Sequence, residues 1–146
     1  MKKIERSIVL PYTAEEMFHI VNDVASYPEF ISWCSDTKVV SHSDYEMIAD
    51  ITISKAGFNQ TYRTRNSLSD SRHIQIYLLE GPVKSLSATW GFQDLDNKKG
   101  CRVIFQIQFD AGNALFDIAM APMINGFLKS MLKSLIKRAA KLHGER

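Results

Sequence analysis

Sulfur chemistry has little to work with in this chain. Its two cysteines, Cys34 and Cys101, form no CxxC pair and no disulfide framework. They read as two free, buried thiols of a protein held in a reducing compartment. Long hydrophobic runs are missing too: no apolar run reaches the roughly 18 residues that a membrane-spanning helix needs. The opening residues, MKKIERSIVLPYTAEE, begin like a signal peptide but turn acidic and strand-like. They lack a sufficient apolar core and a small-residue cleavage site, so the expected location is the cytoplasm. No GxSxG, HExxH or phosphate-binding loop occurs. His19, His42, His73 and His143 fall in unrelated segments without metal-type spacing. Internal repeats, low-complexity tracts and linkers are absent as well.

What is present fits one domain spanning residues 1–146. Hydrophobic residues make up 45% and charged residues 23%, ordinary values for a globular chain. A net charge of +2 conceals an asymmetry. Lys129, Lys133, Lys137, Arg138, Lys141 and Arg146 face a single acid, Glu145, so the last 22 residues carry +5 and the rest −3.

Residues 113–143 read as one long amphipathic helix. On a helical wheel centred on Ile124, residues Phe127, Leu128, Met131, Leu132, Leu135, Ala139 and Leu142 share one arc. Lys129, Lys133, Lys137 and Lys141, spaced by four, occupy the other side. A stripe this wide must lie on something. Pro122 removes a backbone donor and is expected to kink the first part of the helix.

The remainder reads mainly as antiparallel sheet. Residues 4–10 form a first strand ended by Pro11. Thr13 and Glu16 make a capping box for a short helix that buries Met17, Ile20, Val21 and Val24 and ends near Asn22–Asp23. The segment VASYPEFISWC (24–34) is dense in aromatics, and Pro28 biases Tyr27 away from the α region. It forms either a packed corner, or a ligand gate or partner-facing aromatic patch. Six strands follow at 37–41, 45–54, 59–68, 72–80, 86–94 and 101–109. The turns between them include His42–Asp44, Lys55–Gly57, Ser69–Ser71, Gly81–Pro82 and Asp96–Gly100. Clean alternation, such as Val103, Phe105, Ile107 and Phe109 against Arg102, Gln106 and Gln108, indicates antiparallel neighbours with one wet face.

The expected fold is therefore α+β, a curved seven-stranded antiparallel sheet wrapped around a long C-terminal helix. A sheet curved around a helix leaves room between them for an apolar pocket. Candidate ligand-binding residues are Tyr27, Phe30 and Trp33 of the aromatic corner and Trp90 of a strand. The long helix adds Phe116, Met120, Met123, Ile124, Phe127 and Met131. Methionine adapts readily to irregular shapes, although it also fills ordinary cores. The partner-facing candidates are Lys129, Lys133, Lys137 and Lys141: either a solvated outer face or a ridge for RNA phosphate or lipid headgroups.

Several local motifs carry a family resemblance over essentially the whole chain. They are YPEFISWC (Tyr27, Pro28, Phe30, Trp33, Cys34), EGPVKSL with the strand of Trp90 (Gly81, Pro82, Leu86), and AxxPMINGFLKSM in the last helix. Together they resemble the coenzyme Q-binding/ribosome association toxin family of the START-like, helix-grip superfamily, which includes polyketide cyclase/dehydrase-like proteins. Val83 stands where the family usually has an aromatic residue.

The resemblance implies a helix-grip fold and two roles. Mitochondrial members bind ubiquinone and support respiration without a known reaction. Bacterial members are described as binding the large ribosomal subunit and blocking its joining to the small one. The absence of an Arg-rich transit peptide makes this chain resemble the bacterial branch. The leading expectation is a non-enzymatic binder of a polyprenyl quinone or lipid, with peripheral membrane contact as a further expectation. The alternative is a ribosome association toxin, and DNA is not an expected partner. A cyclase or dehydratase is the third reading. Asp50, Arg63, Arg65 and Glu80 could line a cavity, but a solvated outer face suits them better. No metal or catalytic cofactor is expected.

Overall fold

Thr13 starts the first helix as its neighbours dictate. Its hydroxyl accepts from Glu16 N at 3.1 Å, and Glu16 Oε1 accepts from Thr13 N at 2.9 Å. The computed structural model describes residues 2–70 and 72–146. The elements are β1 (Lys2–Leu10), α1 (Ala14–Asn22), a 3₁₀ turn (Val24–Ser26), α2 (Tyr27–Phe30), β2 (Cys34–His42), β3 (Glu46–Lys55), β4 (Phe58–Asp70), β5 (His73–Glu80), β6 (Ser85–Asp94), β7 (Cys101–Asp110) and α3 (Ala114–His143). The turn expected at Ser69–Ser71 lies partly outside the described residues, and Asp70 belongs to β4.

The seven strands form one antiparallel sheet in the order β1-β7-β6-β5-β4-β3-β2. Successive hairpins build it, and only the β1–β7 pair joins strands distant in sequence. Register shifts interrupt β2–β3 at Cys34/Asp36 and Val39/Ser41, and β4–β5 at Arg63/Thr64 and Leu68/Asp70. Such bulges bend strands and increase twist, which helps the sheet curve around a helix. Its inner face contributes Ile74, Trp90, Phe92, Val103, Phe105 and Phe109 to the core. The helix α3 lays Ile124, Leu128, Met131, Leu135 and Ala139 against them, as the wheel predicts.

Three expectations need correction. Tyr27 is helical, with φ −51° and ψ −42°, although Pro28 follows it. Pro28 sits in the first turn of α2, where its missing N–H costs nothing. The Tyr27 hydroxyl donates to the Val21 carbonyl and its ring meets Phe30 edge-on at 5.8 Å, so tertiary contacts override the local bias. Leu142 is 52% exposed, despite its place on the apolar arc. Finally, although no uninterrupted apolar run reaches 18 residues, α3 is by length and composition alone long and apolar enough to cross a membrane. Leu115, Phe116 and Ile118 in its first turns are exposed, whereas the following turns pack on the sheet.

The last residues of the chain return to α1. Arg146 donates to both oxygens of Glu16, at 2.7 and 3.1 Å, and His143 Nδ1 lies 3.1 Å from the same carboxylate. The Arg146 guanidinium holds the Glu16 carboxyl down at about 2, against an ordinary 4.5. A lowered folded-state pKa stabilises the protein above pH 4.5, and that stabilisation is lost as the pH falls towards 2. Solvent around Arg146 reduces the full linkage value, leaving roughly 2 kcal/mol. Urea unfolding at pH 7 and pH 3 is expected to show this loss, and Arg146→Ala should remove most of the difference.

Candidate functional site

Between α3 and the inner sheet face lies a cavity of about 170 Å³, partly open to solvent. Engineered apolar cavities of roughly 150 Å³ accept benzene, so this one has room for a ring-sized group. A small side chain helps to create the space. Ala88 on β6, which lines the cavity, lies opposite Ile76 and Ile107.

Eight of the ten candidate ligand residues line this cavity. Tyr27 and Trp33 come from the aromatic corner and Trp90 from the sheet; Met120, Met123, Ile124, Phe127 and Met131 come from α3. Phe127 and Trp33 pack together with ring centres 5.8 Å apart, joining corner to helix. The other two lie elsewhere. Phe116 is 55% exposed because the first turns of α3 run past the cavity. Phe30 faces an outer groove between α1 and α3, where the Arg138 guanidinium lies 4.8 Å above its ring.

Pattern reading did not assign several wall residues to the pocket. Ile51, Ile53, Phe58 and Tyr62 of the β3–β4 hairpin close one side, and Val83 also lines the wall. Thr64 and Asn66, both 5% exposed, also face this space. Their shared face was visible in the alternation of β4. Their role was not, because polar residues on a strand ordinarily mark the wet side.

Among the described residues, no Asp, Glu, Lys, Arg or His lines the cavity. Its titratable groups are held neutral at pH 7. Burial pushes the Cys34 thiol up to about 11 and raises the Tyr27 and Tyr62 phenols. Cys101, free and buried like Cys34, is also pushed up to about 11 by burial. A shift from 9 to about 11 lowers the thiolate fraction about a hundredfold. A chromogenic disulfide reagent is therefore expected to label both thiols at least that much more slowly in the native protein than in urea.

The charged residues weighed for catalysis lie apart from this site. Arg63 forms a two-pronged pair with Asp50, at 2.7 and 3.0 Å, while Arg65 and Glu80 are exposed. Among the described residues, no group of three or more His, Cys, Asp or Glu is placed to hold a metal.

On the outside of α3, Lys129, Lys133, Lys137 and Lys141 are all exposed. None has an ion-pair partner among the described residues, unlike Arg146 on Glu16. A groove of about 430 Å³ runs beside Lys129 and Lys133, lined by Arg6, Ile8, Leu132 and Ile136.

A long helix gripped by an antiparallel sheet, with an uncharged cavity between them, defines a START-like helix-grip protein. The Zhui aromatase/cyclase of Streptomyces sp. R1128 shares this fold at TM-score 0.85 and 17% identity, over 96% of this chain and 94% of that one. Residues 10–136 match the family described as polyketide cyclase / dehydrase and lipid transport. Ribosome association toxin RatA of Vibrio cholerae is 36% identical over 99% of this chain and all of its own length. The mitochondrial coenzyme Q-binding protein COQ10 homolog B of Xenopus laevis is 24% identical over 98% of this chain and 61% of its own. The chain belongs to the polyketide cyclase / dehydrase and lipid transport family, in its coenzyme Q-binding/ribosome association toxin branch.

Proposed function

We propose that this protein is a non-enzymatic, cytoplasmic binder of an uncharged apolar molecule, of the polyprenyl quinone or lipid class. The carrying observation is the cavity itself, ring-sized, aromatic and methionine-rich, without a charged side chain. Catalysis by proton transfer or nucleophilic attack needs a group that can change charge near neutral pH. The raised Cys34, Tyr27 and Tyr62 do not supply one. At about 170 Å³ the cavity encloses a ring but not a long tail. The tail leaves past the first turns of α3, whose exposed Leu115, Phe116 and Ile118 are the surface on which a bilayer would be met. A titration with a short-tailed ubiquinone analogue tests this. Saturable binding at micromolar concentration is expected, and its absence would remove the proposal.

A second activity is supported by a different surface. Four exposed, unpaired lysines along one helix suit an RNA phosphate backbone, and the toxin from Vibrio cholerae is named for ribosome association. We infer that this ridge binds the large ribosomal subunit and hinders subunit joining. The two activities are compatible, because one uses the interior and the other the outside of α3. In a sucrose gradient of cell extract, the protein is expected to travel with the large subunit. Sedimentation only at the top of the gradient would contradict this.

A further inference from the structure

Four polar residues are buried among the described residues: Thr64, Asn66, Asp117 and Ser134. Two have structural work to do. Asp117 accepts from Ala111 N at 2.7 Å, fixing the entry to α3, and Ser134 donates to the Ser130 carbonyl at 3.0 Å. Thr64 and Asn66 join no cap or turn. They sit in the middle of β4, point into an otherwise apolar cavity, and bond to each other. Asparagine is disfavoured in strands, and burying an amide without full hydrogen bonding is costly.

The geometry shows which half of the amide is left over. The Thr64 hydroxyl donates to Asn66 Oδ1 at 3.1 Å, so the acceptor end is tied to the wall. Asn66 Nδ2 has no hydrogen-bond partner among the described residues, although its side chain lines the cavity. Beside the pair, the β4–β5 register slips between Arg63 and Thr64. Bulges of this kind are frequent next to functional sites, where they re-aim a side chain. On β5 Ile76 stands opposite Asn66, and on β6 Ala88 stands opposite Ile76; all three line the cavity that the amide faces.

From this we infer that Thr64 and Asn66 form the polar anchor of the cavity, and that the ligand presents a neutral carbonyl oxygen to Asn66 Nδ2. The ligand class is a ring or chain ketone, quinone or ester with an apolar remainder. A carboxylate or phosphate is excluded from the same spot, because no cation lines the cavity to offset its burial. This assignment rests on the carrier reading above and narrows it.

A two-by-two comparison tests it. The probes are 2-hexyl-1,4-benzoquinone and hexylbenzene, each measured by displacement of an apolar fluorescent dye. The proteins are the wild type and Asn66→Leu. Only the change in preference between probes is read, which cancels their different affinities for water. The wild type is expected to favour the quinone over the hydrocarbon about tenfold more than the variant does, the net worth of one hydrogen bond. Leucine suits this strand and cavity better but leaves the buried Thr64 hydroxyl without its acceptor, so Asn66→Leu is expected to melt within about 3 °C of the wild type. Thr64→Val, which frees the amide from its tether, should reduce the preference in the same direction and covers the case in which Asn66→Leu fails to fold. A preference that changes less than twofold in the folded variants would overturn the anchor while leaving the carrier reading intact. If neither probe displaces the dye from the wild type, the carrier reading itself falls, and the anchor with it.

Discussion

Replacing Ile124 with aspartate is expected to abolish ligand binding, with at least a hundredfold loss of affinity. Ile124 is 8% exposed and lies on both the cavity wall and the core. A carboxylate there would face a space with no cation and no unengaged cluster of donors, so it would either stay charged at high cost or take up a proton. The substitution should cost about 4–5 kcal/mol of stability. Loss of binding through simple unfolding must be separated from loss through charge, and Ile124→Ala does this. It removes the same packing, costs about 2–4 kcal/mol and enlarges the cavity without adding polarity. Ile124→Ala should therefore still bind the quinone probe, while Ile124→Asp should not, with circular dichroism showing both folded at 10 °C. Equal binding by the two variants would place the ligand elsewhere.

The second large effect concerns the outside of α3. Reversing Lys129, Lys133, Lys137 and Lys141 to glutamate is expected to end co-sedimentation with the large ribosomal subunit. All four side chains are exposed and unpaired, so no internal contact is broken. The stability cost should stay at about 1–2 kcal/mol, arising where acids meet the C-terminal end of the helix dipole. If all four lysines contact phosphate, binding by the unaltered protein should follow salt with a log–log slope near −3, or about a fiftyfold loss between 50 and 200 mM. Ligand binding should survive the reversal, because the lysines are absent from the cavity wall. Undiminished sedimentation of the reversed protein would show that another face meets the ribosome.

Much of this architecture is written in short-range pattern. The alternation in β7 predicts its inner face residue by residue, because a strand with one wet face has period two. The Thr13–Glu16 capping box places the start of α1 at the right residue. The wheel centred on Ile124 finds the buried stripe of α3. Where the reading departs from the structure, tertiary context decides. Phe116 belongs to the same amphipathic helix as Ile124 but lies about one turn before Met120, where the helix begins to pack on the core. Leu142 shares the arc of Leu135 but sits in the last turn, half exposed. Tyr27 adopts the α region against the bias of Pro28 because its hydroxyl and ring are held from both sides.

The candidate site was legible in its greasy part and not in its polar part. Aromatic and methionine residues announce an apolar pocket through composition alone. Thr64 and Asn66 do not, since their significance depends on α3 covering their face of the sheet and on a register slip at Arg63. The staple between Arg146 and Glu16 was likewise invisible, because it joins the two ends of the chain across 130 positions.

Extraction of freshly purified protein into organic solvent, with mass spectrometry of the released molecules and of the intact complex, bears most directly on the underfilled cavity. The intact complex is expected to carry one neutral, carbonyl-bearing apolar molecule per chain, released on unfolding and absent from Ile124→Asp. Protein that leaves the cell empty and takes up no quinone at micromolar concentration would contradict the account at its centre.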